Sequence, residues 1–166
     1  MKAKNLNPRP RNTFRMRADL FRRIGGRSLI APRKSALLQT DGSFFPATKF
    51  SRVAMILRAE RDGELFQKMH PIDKAKDSTE TEWASVFYGI RFALEKNEWN
   101  VHIENDNLSV IRGLMLPFCE LKHDYAKFYR NQILMTAVES YWTAIRWIPR
   151  ELNKADALYR GKRNRQ

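Results

Sequence analysis

The spacing of apolar positions changes several times along the chain, and each change marks an element. Ser35–Ser43 (SALLQTDGS) reads as a strand ending in a turn at Asp41–Gly42, with Phe44–Phe45–Pro46 leading into a loop. Arg52–Ala59 (RVAMILRA) is dense in β-branched and apolar residues and predicts a second strand. Asp62–Gly63 is a hairpin signal, and Glu64–His70 is the returning strand, so the three form an antiparallel meander. Trp83, Val86, Phe87, Ile90, Ala93 and Leu94 then recur at intervals of three and four, the signature of one helical face. Ser78 or Thr79 caps this helix, Glu80 and Glu82 stand near its positive end, and Asn97 ends it. Gly89 interrupts the apolar face and predicts close approach to a sheet. Trp99–Ile103 is a fourth strand and Leu108–Leu114 a short helix, broken at Leu116–Cys119. Tyr125–Ser140 is a long helix, Trp142–Ile148 a fifth strand stopped by Pro149, and Asn153–Tyr159 a last helix. The order β-β-β-α-β-α-α-β-α implies an α/β fold, a mixed sheet with helices packed on it.

Charge divides the chain differently. Residues 1–35 carry eleven Lys or Arg and one acid, Asp19, while residues 160–166 add four more bases. The stretch between them sums to −1, so the net +13 belongs to the ends. The expected organisation is a basic N-terminal extension (1–34), a globular body (35–160) and a basic tail (161–166). Arms of this kind bind phosphates without reading sequence. Within the first arm, Phe14–Ile24 shows a broad apolar arc ending at Gly25–Gly26. It predicts a short amphipathic helix that packs on the body, lies on nucleic acid, or serves organelle targeting. A single cysteine, Cys119, excludes an internal disulfide framework and a cysteine-based zinc site. The longest uncharged apolar run, Trp83–Ile90, is far short of the roughly 18 residues a membrane span needs, so no membrane partner is expected.

Four acids stand at element ends: Asp41 on the first strand, Glu82 opening the first long helix, Asp106 after the fourth strand, and Asp156 in the last helix. Any one of them alone is explained as a solvated charge or a helix cap. The motifs around them are Thr40-Asp41-Gly42-Ser43, Ser78-Thr79-Glu80-Thr81-Glu82-Trp83-Ala84, Ile103-Glu104-Asn105-Asp106-Asn107, and Trp147-Ile148-Pro149-Arg150-Glu151-Leu152-Asn153-Lys154-Ala155-Asp156. In this order, and on these elements, the chain resembles the ribonuclease H family over about residues 36–160. The resemblance implies a ribonuclease H-like α/β fold. Its five-stranded mixed sheet has three antiparallel and two parallel strands, with helices on both faces.

The resemblance also implies an endoribonuclease that hydrolyses the RNA strand of RNA–DNA hybrids. Asp41, Glu82, Asp106 and Asp156 match the family's catalytic, metal-holding carboxylates, and two Mg²⁺ or Mn²⁺ ions are the implied cofactors. The chemistry agrees, because carboxylates ~4 Å apart repel by roughly 4 kcal/mol per pair at an effective dielectric of about 20. Oxygen-only ligands favour these hard cations, and an ion pair about 4 Å apart can clamp a scissile phosphate. Gly42, Ser43, Asn105, Asn107, Arg150 and Asn153 are the implied contacts to the RNA strand and scissile phosphate, and Ser78 and Thr79 to a DNA-strand phosphate. Turn formation and capping are the competing roles for these residues. Trp83 and Trp99 are expected in the core, and His70 and His102 as structural residues. Three departures stand out. No His lies in the segment Pro149-Arg150-Glu151-Leu152 shortly before the last acid, the basic protrusion is absent, and the interval from Asn153 to Asp156 is one residue short. The expected partner is hybrid nucleic acid, the expected state monomeric, and the expected location cytoplasmic or nucleoid-associated. The alternatives are a junction-resolvase-like DNA nuclease and an inactive nucleic-acid-binding or ribonucleoprotein component.

Overall fold

A computed structural model describes residues 21–160. Its elements are β1 (Arg22–Gly25), β2 (Ala36–Phe45), β3 (Phe50–Arg58), β4 (Leu65–Ile72), α1 (Ser78–Glu95), β5 (Asn100–Asn105), α2 (Leu108–Met115), α3 (Asp124–Glu139), β6 (Trp142–Trp147) and α4 (Lys154–Arg160). Single turns of 3-10 helix at Phe118–Glu120 and Arg150–Leu152 complete them. The strands form one mixed sheet in the order β1-β6-β5-β2-β3-β4. The antiparallel meander β2–β3–β4 and the parallel pairs β2–β5 and β5–β6 follow the predicted order.

The sheet has six strands instead of the expected five. Arg22–Gly25 pairs antiparallel with β6, with Arg22 opposite Ile145 and Gly25 opposite Thr143. The helix expected over 14–24 is therefore replaced by strand from Arg22 onward, and its earlier part lies outside the described residues. Pairing satisfies backbone groups that β6 would otherwise leave at a bare edge. Gly25 fits there because a Cβ would lie 2.5 Å from the Cβ of Ala137 on α3.

A second correction concerns β2, which runs on to Phe45 instead of turning at Asp41–Gly42. Asp41 pairs with Ala54 and Gly42 with Val53 inside the ladder, and the chain reverses only between Phe45 and Phe50. The cap of α1 also differs from expectation. Asp77, not Ser78 or Thr79, accepts from the Glu80 amide at 2.8 Å, and Glu80 accepts from the Lys76 amide at 2.7 Å.

The alternation of each strand divides the sheet into two faces. Leu38, Met55, Leu57, Val101, Ile103 and Ile145 meet Trp83, Val86 and Ile90 of α1 and Ile133 of α3 in the main core. The opposite face carries Gln39, Asp41, Ala54 and Ile56, where Ala155 and Tyr159 of α4 pack on Ala54 and Ile56. Trp83 is buried as expected, but Trp99 is 40% exposed beside Tyr141, because it precedes β5 instead of pointing into it. Among the described residues no helix is long and apolar enough to cross a membrane.

Gly89 has the predicted role. A Cβ there would lie 2.5 Å from Cγ2 of Thr40 and 3.0 Å from Cδ2 of Leu38. Gly89→Ala is expected to destabilise the protein by about 1–3 kcal/mol through overpacking, despite the better helix propensity of Ala. A shifted denaturant midpoint with unchanged slope would be the sign, and an unchanged midpoint would contradict this packing.

Candidate active site

Asp41 is the centre of the site. It lies mid-strand on β2, is 6% exposed, and faces the side of the sheet covered by α4. Its neighbour Gly42 faces α1 at closest range, where a Cβ would stand 2.6 Å from the carbonyl carbon of Thr81 and 2.8 Å from the amide nitrogen of Glu82. The missing side chain lets strand and helix touch, so the Gly42 amide donates to Oε2 of Glu82 at 3.3 Å. Glu82 is thereby held one turn into α1.

Asp106 follows the last residue of β5. Its main-chain carbonyl accepts from Nε1 of Trp147 at 2.9 Å. Its Oδ1 accepts from Nδ2 of Asn153 at 2.9 Å, and the same Nδ2 donates to the Thr40 carbonyl at 2.9 Å. Asn105 also donates to that carbonyl, at 3.1 Å. The residue before Asp41 is thus the point to which β5 and the α4 segment are both tied.

Asp156 sits in the first turn of α4 and is 9% exposed. Its Oδ1 accepts from a terminal nitrogen of Arg150 at 3.4 Å, and the Arg150 side chain is 72% exposed. Two further contacts fix α4. The Tyr159 hydroxyl donates to the main-chain carbonyl of Asp41 at 2.8 Å and lies 3.2 Å from that of Arg52. Gln39 holds the start of the helix, because its Nε2 donates to Oε2 of Glu104 at 2.7 Å and to the Leu152 carbonyl at 3.2 Å. Its Oε1 accepts from the Lys154 amide at 3.1 Å. Glu104 is ion-paired in turn with Arg146.

These contacts place Glu82, Asp106 and Asp156 within electrostatic reach of Asp41. Burial, then Asp106 and Asp156, push the Asp41 carboxyl up to about 7, against the opposing effect of Arg150 and the Gly42 amide. Glu82 is also raised, by burial first and then by Asp41 and Asp106. The shortened Asn153–Asp156 interval does not carry the last acid away from the first. A cleft of about 430 Å³ opens beside Arg150, Asn153, Lys154 and Asp156. Another cleft, of about 660 Å³, lies among Lys34, Glu60, Lys96, Trp99 and Tyr141 at the starts of β2, β5 and β6, away from Asp41, Glu82, Asp106 and Asp156.

The donor set suits a hard divalent cation, since it is all oxygen and carries uncompensated negative charge. Among the described residues no group of three or more His, Cys, Asp or Glu is already set to hold a metal ion. Asp106 and Asp156 are instead engaged by Asn153 and Arg150.

The remaining candidate residues divide by exposure. Ser78 and Arg150 are exposed, and Gly42, Ser43, Thr79 and Asn107 are half-buried. Asn107 caps α2 through the Ser109 and Val110 amides. Asn105 and Asn153 are 0% and 4% exposed, and both bond Thr40, so they position the site from within. Gln39 and Tyr159 were not singled out in the sequence. The available signal was a lone amide in the run Ala36–Thr40, two residues before Asp41 and so on its face. Gln39→Leu is expected to cost about 1–3 kcal/mol by leaving the Lys154 amide and Glu104 short of a partner. Chemical denaturation checks this, and an unchanged midpoint would remove Gln39 from the framework.

Residues 39–158 match the family described as reverse transcriptase-like. No curated protein matches the chain in sequence at a significant level. Solved structures that share its fold include the N-terminal RNase H domain of a Mycobacterium tuberculosis protein, solved fused to maltose-binding protein, at TM-score 0.65 and 16% identity over 74% of this chain and 88% of that one. RNase H1 of the halophilic archaeon Halobacterium salinarum aligns at TM-score 0.61 and 20% identity, covering 74% and 92%. LC11-RNase H1, solved in complex with an RNA/DNA hybrid, aligns at TM-score 0.63 and 16% identity, also covering 74% and 92%.

Proposed function

The chain belongs to the reverse transcriptase-like family, and we propose that within it this protein is an endonuclease that hydrolyses the RNA strand of RNA–DNA hybrids. One observation carries the reading. Four carboxylates from four separate places in the chain meet around Asp41, where burial, Asp106 and Asp156 raise the cost of ionising Asp41, and burial, Asp41 and Asp106 that of Glu82. A fold gains nothing in stability from buried like charges. Their concentration beside an open cleft is understood if cations and a phosphodiester complete the site.

Asp41, Glu82, Asp106 and Asp156 would hold two divalent ions, Mg²⁺ or Mn²⁺. Such ions supply Lewis acidity and neutralise the charge of the phosphate. The protein's own part is positional. Gly42 and the α1 cap hold Glu82, Asn153 holds Asp106, and Tyr159 with Gln39 hold the helix that brings Asp156. Arg150, exposed at the mouth, presents a guanidinium where a phosphate oxygen arrives. Gly42 and Ser43, with the NH₂ group of Asn107, face the RNA strand. Ser78 and Thr79 at the start of α1 receive a phosphate of the DNA strand. The substrate is also supported by the structural likeness to an RNase H1 solved with an RNA/DNA hybrid. All four acids come from one chain, so a single copy suffices to assemble the site.

The test is cleavage of a hybrid labelled on either strand, beside a four-way DNA junction, with Mg²⁺, with Mn²⁺ and with EDTA. RNA-strand cutting that requires metal and leaves 5′-phosphate and 3′-hydroxyl ends is the expected result. Preferential junction cutting would move the protein to the resolvases. Binding without cutting would make it a nucleic-acid-binding component.

A further inference from the structure

Among the arginines on the side of the sheet that carries Asp41, Arg146, Arg150 and Arg52 differ in what they hold. Arg146 is paired with Glu104, and Arg150 with Asp156. Among the described residues Arg52 forms no ion pair and no side-chain hydrogen bond. It lies on β3 opposite Ser43, on the same face as Asp41 and one step along the ladder towards the hairpin turn. Its guanidinium carbon is 4.9 Å from the ring centroid of Tyr159 and 5.5 Å from that of Phe45. Its Nε is buried without a partner.

Two aromatic rings therefore hold a cation in place, and the carboxylates of the site are not what holds it. Stacking fixes the plane of the group and leaves its terminal N–H edge for an incoming acceptor. That planar fork matches the oxygens of a phosphodiester. Ser43 beside it has a hydroxyl that suits the adjoining sugar.

We propose that Arg52 is a phosphate-binding residue of the substrate groove, taking a backbone phosphate of the nucleic-acid strand that passes Ser43 on its way to Asp41. The inference rests on the proposed function and deepens it. It places a positive contact on the hairpin side of the acids, in addition to the one offered by exposed Arg150.

The experiment uses the full chain carrying Asp41→Asn, so that hybrid is bound and not cut. Fluorescence anisotropy with a labelled RNA–DNA hybrid is followed from about 50 to about 200 mM salt. Adding Arg52→Gln is expected to weaken binding severalfold and to lower the log–log salt slope by about 0.9, the loss of one phosphate contact. Arg52→Lys keeps the charge and is expected to keep the slope while losing part of the affinity with the fork. If Arg52 serves only to fill the space between Phe45 and Tyr159, both variants lower the unfolding midpoint and leave the slope unchanged, which overturns the proposal. If Arg52→Gln does not fold, Arg52→Lys decides alone, since wild-type affinity in that variant overturns it. A parent protein that binds no hybrid overturns the functional reading itself, and is distinguishable because it fails before Arg52 is altered.

Discussion

Asp41→Asn is expected to lower hybrid cleavage by more than about 100-fold, while hybrid affinity stays close to that of the wild type. Altering groups that merely orient metal ligands costs about 10–100-fold, and Asp41 is the acid nearest the centre of the cluster. The same substitution has a second consequence for the metal-free protein. The Asp41 carboxyl is raised from 3.8 to about 7, so between those values the folded state binds a proton that the unfolded chain has lost. Stability is therefore fully present below about pH 4 and declines as pH rises towards about 7. Each pH unit of that window is worth about 1.4 kcal/mol, so the total is on the order of 4 kcal/mol. Glu82 is shifted in the same direction and adds to the slope. Asn cannot ionise, so Asp41→Asn should flatten the decline and stabilise the metal-free protein at neutral pH. Urea midpoints in EDTA across this pH range measure it. A wild-type stability independent of pH would contradict the buried, crowded carboxylate, and undiminished cleavage by the variant would remove Asp41 from the chemistry.

Removal of residues 1–20 is expected to weaken hybrid binding strongly and to flatten its dependence on salt. The segment contains Lys2, Lys4, Arg9, Arg11, Arg15 and Arg17 against a single acid, Asp19. Phe21, where the described chain begins, stacks on His102 at 4.2 Å and lies 4.4 Å beneath the guanidinium of Arg146. By strand alternation those two residues share the sheet face of Asp41 and α4, so the basic segment joins the body on the side of the site. Each phosphate contact contributes about 0.9 to the log–log slope, so losing six would lower it by about 5. Truncation at residue 20 spares β1, and the melting temperature should hold. A full-length slope in the truncated protein would show that the segment does not touch the duplex.

Much of this architecture was legible locally. The 3–4 spacing from Trp83 to Leu94 and the Asp62–Gly63 signal needed no knowledge of distant residues. The order of the four acids was legible in the same way. What failed depended on partners far away in sequence. Gly42 has the local signature of a turn, yet it is glycine because α1, about forty residues on, presses against it. Arg22–Ile24 has a helical pattern of its own, ended by Gly25, yet it is strand because β6 offers an edge. Three adjacent residues able to cap α1 left the choice of Asp77 to the tertiary contacts, among them the Tyr125 hydroxyl at 3.2 Å from its carboxylate. Asn105 and Asn153 read as substrate contacts because asparagine is polar, whereas both are buried to hold the Thr40 carbonyl. The distances among acids from four elements are a property of the folded sheet, and no spacing in the chain encodes them.

Calorimetric titration of the full chain with Mg²⁺ and Mn²⁺ near pH 6.5, with proton release followed in parallel, tests the central claim most directly. If the four carboxylates form one cation-binding cleft, binding is saturable and expels protons, because Asp41 is still largely protonated at that pH, and Asp41→Asn loses most of both signals. A folded wild-type protein that takes up neither ion and releases no proton would contradict the account.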